Sequence, residues 1–240
     1  MESQHDRERG GHREPTSPFV RARIKTAYAN VLIALLLFGS AGDLGWWPAW
    51  AYVAILAASS FLPLYAPLGF DEGLLEERMS KKPDAKRWDR YFIGLISVFT
   101  AAELIVPGLD HRFIWTKQQD VWTKLAGLAL VILGTAGLIW AMRTNRFFSA
   151  VIRIQSDRGH HVVSEGPYGI VRHPGYAFWS LRTVGVPLLF GSNWAFIVAG
   201  LFIAMFVVRT ALEDRVLQKE LPGYRDYARQ VRWKLIKGIW

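Results

Sequence analysis

Cysteine is absent from the 240-residue chain, which excludes disulfides, a thiolate nucleophile and Cys-ligated zinc, and leaves the redox compartment unreadable. The six histidines form no HExxH-type spacing, so no metal-ligand set is expected. No internal repeat is visible. Nothing at the N-terminus reads as a signal peptide, because the first apolar run begins only near Ala27 and no small-residue cleavage site follows it convincingly. A net charge of +9 raises nucleic acid as a partner. The basic residues are broken up by long apolar runs, however, and such a distribution fits loops against an anionic membrane surface better than a nucleic-acid stripe.

What the chain has in abundance is apolar surface. With 51% hydrophobic residues and 11 Trp, its composition is that of a protein whose solvent is the bilayer. Apolar runs cover 27–40, 46–68, 91–107, 121–142, 176–190 and 194–208. Several approach the ~20 residues needed to cross ~30 Å of hydrocarbon, and the first and fifth are short, so five to six transmembrane helices are expected. Trp46, Trp47, Trp50, Trp115, Trp122 and Trp194 stand at run ends, where indole rings prefer the interface. Residues 1–23 are polar and read as a disordered tail, 24–142 as the N-terminal membrane helices, and 143–240 as the region that carries chemistry. The loop Asp71-Glu-Gly-Leu-Leu-Glu-Glu-Arg-Met79 reads either as a short amphipathic helix on the membrane or as a solvated connector.

Six crossings would put 25 of the 29 Lys and Arg on one side, leaving Arg112, Lys117 and Lys124 on the other and Arg182 inside a span. The positive-inside rule then makes both termini cytosolic.

Between the fourth and fifth runs, 145–176 mixes rings, cations and turn residues. Gly166-Pro167 and Gly169 force an irregular backbone whose N–H groups can face a ligand. Arg172 and His173 precede Pro174, which suits the first turn of a helix whose unsatisfied amides attract anions; alternatively the two are simply interface anchors. A second cluster follows the last run: Arg209, Glu213, Asp214, then Leu221-Pro-Gly-Tyr224, Tyr227 and Val231-Arg232. Arg209 and Glu213 are four apart, which an ion pair on one helix face explains, while Glu213 and Asp214, close to the membrane exit, call for a partner or a ligand. Glu103 and Arg182 lie within apolar runs, either as a buried ion pair or with Arg182 snorkelling or lining an acceptor pocket.

Gly-Pro-Tyr, Arg-His-Pro-x-Tyr, an apolar hairpin, an acidic pair and a Tyr-containing tail ending in Val-Arg together resemble the isoprenylcysteine carboxyl methyltransferase family and the related phospholipid N-methyltransferases, over roughly 145–240. The resemblance implies an all-α membrane enzyme with a cytosolic-face cofactor site built from the C-terminal half, using S-adenosyl-L-methionine. By the same resemblance His173, Glu213 and Asp214 bind the cofactor, Asp214 standing where relatives usually carry Glu. His160 matches a histidine often found before Gly-Pro-Tyr, and Asn145 and Gln155 fall in the segment that lines the active site. Gly166, Pro167, Tyr168 and Tyr176 join the cofactor set, and Arg172 joins Asn145 and Gln155 as candidates for the reacting end. The cofactor's chemistry suits these residue types: Arg172 or His173 for its carboxylate, Glu213 or Asp214 for its ammonium or ribose, Tyr176 or Tyr224 for adenine. The acceptor is expected to be hydrophobic or lipid-linked, an isoprenylcysteine carboxylate or a lipid amine, reaching the site from the bilayer between helices. Two other readings stand beside this one. Sterol-reductase-type membrane proteins, which use NADPH, share a similar Arg-His-Pro-x-Tyr half but tend to be longer; a non-catalytic membrane scaffold would keep the fold without binding a cofactor.

Overall fold

The computed structural model describes residues 18–61, 74, 77, 86–117 and 119–240. Among these the chain is helical, without strands: α1 (Pro18–Ala41), α2 (Trp47–Phe61), α3 (Arg87–Phe113), α4 (Val121–Thr144), α5 (Pro174–Phe190), α6 (Asn193–Glu220) and α7 (Tyr224–Gln230), with 3-10 turns at Ser156–Arg158 and Gly166–Gly169. Four of them, α1, α3, α4 and α6, are long and apolar enough to cross a membrane. The 15 residues of α2 and the 17 of α5 are shorter, about 22 and 25 Å at the helical rise. Leu35, Leu133 and Leu201 are 65%, 59% and 55% exposed on the outer faces, a surface suited to lipid and costly in water.

Helix ends follow local chemistry. Asp120 caps α4 by accepting from the Trp122 and Thr123 amides at 2.9 and 3.1 Å. Ser192 does the same for α6 through Ala195. Pro174 opens α5 at a position where a missing N–H costs nothing. Helix α1 begins at Pro18, so 18–23 are helical where the sequence suggested tail; Ala22 is buried while Arg21 is exposed, an amphipathic start. The rest of that expected tail lies outside the described residues. So does most of the loop read as an amphipathic helix or connector. Of it, Leu74 and Glu77 are helical and buried, and Glu77 is tied to Arg153 at 2.8 Å, so this part packs against the protein.

The closest pairing is α4 against α5. A Cβ on Gly127 would come within 2.8 Å of the Gly185 carbonyl, and one on Gly134 within 2.5 Å of the Arg182 amide nitrogen, so the two backbones touch where any side chain would hold them apart. Around this pair Leu37, Tyr52, Leu104, Val186 and Phe190 build the main core. Helix α6 packs on α5 and α3, while α3 and α4 flank α5 without packing along each other. That leaves a groove over α5, open on one side. Helix α6 runs on to Glu220, well past the apolar run ending near 208, because its sequence stays free of helix breakers up to Pro222. The continuation carries Glu213 and Asp214.

Candidate functional site

A cavity of about 280 Å³ opens at the polar end of this groove. Its lower wall is apolar: Ile93 and Ile96 of α3, Leu138 and Met142 of α4, Trp179 of α5. Its upper wall carries Asn145, Gln155, His160, Tyr168, Arg172, His173, Tyr176 and Glu213, all singled out in the sequence, together with Arg209, Tyr224 and Tyr227. The predicted residues Gly166, Pro167 and Asp214 do not line it. Gly166 and Pro167 form the 3-10 turn that delivers Tyr168, with Gly166 in the left-handed region at φ 54°.

The two adjacent carboxylates divide their work. Asp214 is 2% exposed and saturated: it takes Arg172 through Nε at 2.8 Å and a second guanidinium nitrogen at 3.1 Å, the Tyr224 hydroxyl at 3.1 Å, Gln218 at 2.7 Å and His173 Nε2 at 3.2 Å. Arg172 also donates to the Val231 and Arg232 carbonyls at 2.9 Å, so its guanidinium is consumed inside the protein, bolting the C-terminal segment onto α6. The bolt has a second layer, since the backbone amides of Arg172 and His173 donate to the Trp233 and Lys234 carbonyls at 2.9 Å. Arg172 therefore reaches the cavity as wall; a free guanidinium for a ligand carboxylate is not what this geometry offers.

Glu213 faces the cavity with its side chain 23% exposed. One oxygen accepts from the Tyr176 hydroxyl at 2.7 Å; the other is 3.9 Å from His173 Nδ1, too far for a hydrogen bond. It thus keeps acceptor capacity for a cation or hydroxyl. Opposite it, Phe147 is faced by His160, with centroids 4.6 Å apart, and by the guanidinium of Arg158. Burial, then the neighbouring His161, Arg153 and Arg158, push the pKa of His160 down to about 4, so its ring is neutral. Its Nδ1 accepts from the Gln155 amide at 3.2 Å, which leaves Nε2 carrying the hydrogen. Gln155 itself is clamped, donating to the Phe147 carbonyl at 2.7 Å and accepting from Arg158 at 2.6 Å. Asn145 accepts from the Phe147 amide at 2.9 Å. Both amides shape the wall. Burial, followed by the nearby Asp214 and Glu213, holds the Tyr224 hydroxyl far above its ordinary pKa, so it stays a donor.

Arg209 and Asp89 are the residues the sequence did not assign to a site. Arg209 reaches across to Asp89 at 2.9 Å and to the Ala150 carbonyl at 2.7 Å, and its guanidinium lies 5.6 Å from the Tyr176 ring centroid. It does not pair with Glu213, which corrects the ion-pair reading. Asp89 is fully buried, with its second oxygen taken by the Ile152 amide at 2.7 Å, and leaving so deep a carboxylate without a counter-ion would be costly. The buried position of Asp89 in the first turn of α3 was the available signal, since a carboxylate at the head of an apolar run needs a partner. Glu103 and Arg182 do form the buried pair, at 3.4 Å, and Arg182 does not line the cavity.

The family pattern described as "Isoprenylcysteine carboxyl methyltransferase (ICMT) family" matches residues 127–219, from the second turn of α4 through α6. Among curated relatives, the Nickel-cobalt-cadmium resistance protein NccN of Alcaligenes xylosoxydans xylosoxydans is 28% identical over 146 residues, covering 59% of this chain and 62% of its own. Protein-S-isoprenylcysteine O-methyltransferase B of Arabidopsis thaliana is 31% identical over 143 residues, covering 57% of this chain and 68% of its own. The rat Protein-S-isoprenylcysteine O-methyltransferase is 28% identical over 165 residues, covering 65% and 58%. The chain thus spans roughly six tenths of the length of these relatives. On the match to the Arabidopsis relative and the family pattern, the chain belongs to the isoprenylcysteine carboxyl methyltransferase family.

Proposed function

We propose that the chain is an integral membrane methyltransferase that moves a methyl group from S-adenosyl-L-methionine to the carboxylate of a hydrophobic, thioether-linked acceptor of the isoprenylcysteine type. The observation that carries the reading is a single cavity with two chemistries and a cation at their junction: Glu213, His160 and Tyr176 at one end, Ile93, Leu138 and Trp179 at the other, and Arg209 between. The residues fit the cofactor. Glu213 has a free acceptor oxygen for an ammonium or ribose, and the faces of Tyr176 and Phe147 suit a sulfonium or an adenine. When bound, S-adenosyl-L-methionine supplies an electrophilic methyl on sulfur, and a carboxylate oxygen takes it by one displacement in which the carbon–sulfur bond breaks, a neutral thioether leaves and no proton is released. The protein's share is alignment and exclusion of water. Arg209, already anchored by Asp89, orients the acceptor carboxylate at the boundary of the apolar wall; neutral His160 offers Nε2–H and no competing charge. The open flank between α3 and α4 supports entry of the acceptor from the bilayer. A lipid amine fits less well, because its ammonium would face Arg209.

Incubating purified protein with methyl-labelled S-adenosyl-L-methionine and N-acetyl-S-farnesylcysteine tests this. Base-labile label in the thioether is expected. Binding of NADPH without affinity for S-adenosylhomocysteine would replace this reading by the reductase one, and affinity for neither would favour a scaffold.

A further inference from the structure

Helix α3 is tied to its neighbours by buried ions at two levels. Asp89, in its first turn, holds Arg209 of α6 at 2.9 Å, and Glu103, about 21 Å further along the axis, holds Arg182 of α5 at 3.4 Å. The apolar end of the cavity lies between these levels. On α3 its lining stops at Ser97, six residues short of Glu103, and on α5 at Trp179, three residues short of Arg182. Trp179 is gripped from behind, with the Arg182 guanidinium 5.4 Å from its ring centroid and Phe206 and Phe202 at 5.1 and 6.1 Å. The contact is long for one so deep: Glu103 is 2% exposed and Arg182 8%, and the hydrogen bond between them spans 3.4 Å. A buried ion pair contributes little to stability compared with apolar side chains of the same volume, so its presence here is better explained by what it positions than by what it stabilises.

We propose that Glu103 and Arg182 are positioning residues forming a clasp that ends the acceptor chamber and so limits the length of apolar chain it accepts. This rests on the acceptor reading above. By pinning α3 to α5 below Ser97, and by backing the Trp179 indole, the pair turns that indole into an end wall. A chain short enough to stop there lies inside; a longer one must leave through the flank between α3 and α4.

The test compares geranyl, farnesyl and geranylgeranyl thioethers of N-acetylcysteine, with affinities measured by calorimetry on nanodisc-embedded protein and methyl transfer recorded on the same preparations. Wild-type affinity should level off or fall with chain length. In Glu103→Leu/Arg182→Leu, which replaces the ions by apolar volume, the geranylgeranyl-to-geranyl affinity ratio should rise roughly tenfold, the scale on which pocket walls discriminate chain carbons. The swapped pair Glu103→Arg/Arg182→Glu should restore the wild-type order, an outcome that lost packing alone would not give. Glu103→Gln/Arg182→Met carries the same comparison if the leucine pair does not accumulate. An unchanged ratio in a folded variant without the ion pair overturns the clasp, whether or not methyl transfer occurs. A shifted affinity ratio with no transfer by wild-type protein removes methyl transfer from the reading and leaves a chamber for an apolar chain, with the clasp as its end.

Discussion

Two consecutive carboxylates, Glu213 and Asp214, look interchangeable in sequence and are opposite in structure. Asp214 is locked among Arg172, His173, Gln218 and Tyr224, whereas Glu213 spends one oxygen on Tyr176 and turns the other to the cavity. Asp214→Asn should therefore lower stability by about 3–5 kcal/mol, the cost of leaving a buried guanidinium uncompensated. Glu213→Gln should leave the melting temperature near wild type and weaken S-adenosyl-L-methionine by roughly 1.5–3 kcal/mol, about one to two decades. Melting curves and calorimetry on the same samples separate them, and a Glu213→Gln protein that binds normally would remove Glu213 from the site. His160 makes a second test at this scale. Its folded pKa of about 4 lies below its ordinary 6.5, so in that window the unfolded chain takes up a proton the folded one refuses. The contribution of His160 to stability should be constant above pH 6.5 and be lost on acidification towards 4, so wild type should lose more stability over that window than His160→Gln. The residue types of the site were legible in the sequence because Arg-His-Pro and the acidic pair are dense local signals. Partners were not: Arg209 looked to Glu213 four positions away, and its real counter-ion is Asp89 on another helix.

At the scale of elements, the apolar runs foretold the long helices and misjudged their ends. Hydropathy falls where α6 leaves the apolar zone, but helix hydrogen bonding does not, and the extra turns to Glu220 carry the carboxylates. The hold of 233–234 on Arg172 and His173 was invisible as well, since backbone pairing leaves no residue-type signature. The α4–α5 contact, by contrast, is written in glycines. Gly134→Leu would drive a side chain into the α5 backbone at Arg182, where nothing flexible can yield, and should destabilise by about 1–3 kcal/mol or more. Gly94→Ala on α3 meets nothing within 4 Å and should leave the melting temperature equal or higher. Equal melting temperatures for Gly134→Leu and wild type would mean that α4 and α5 are not packed backbone to backbone.

For the whole molecule, the membrane class was legible from composition, and the charge distribution predicts a sidedness that labelling can test. The helix that decides it is α2, whose 15 described residues span only about 22 Å against ~30 Å of hydrocarbon. If α2 crosses, Leu44 in the α1–α2 turn and Ser156 beyond α4 are separated by three crossings and face opposite sides. If it does not, they share a side. The Lys and Arg distribution argues for crossing: only Arg112, Lys117 and Lys124 would accompany Leu44, while the segments around Ser156 and from Arg209 in the last turns of α6 onward carry the rest of the C-terminal half's cations outside Arg182. Because the chain has no cysteine, Leu44→Cys and Ser156→Cys each create a single thiol, and both positions are exposed. In sealed vesicles of known orientation, a membrane-impermeant maleimide should label Ser156→Cys, and likewise Lys237→Cys, from the cytosolic face and Leu44→Cys only from the other. Labelling of Leu44→Cys and Ser156→Cys from one face would show that α2 dips into the bilayer and returns. The charge argument for sidedness would fail with it.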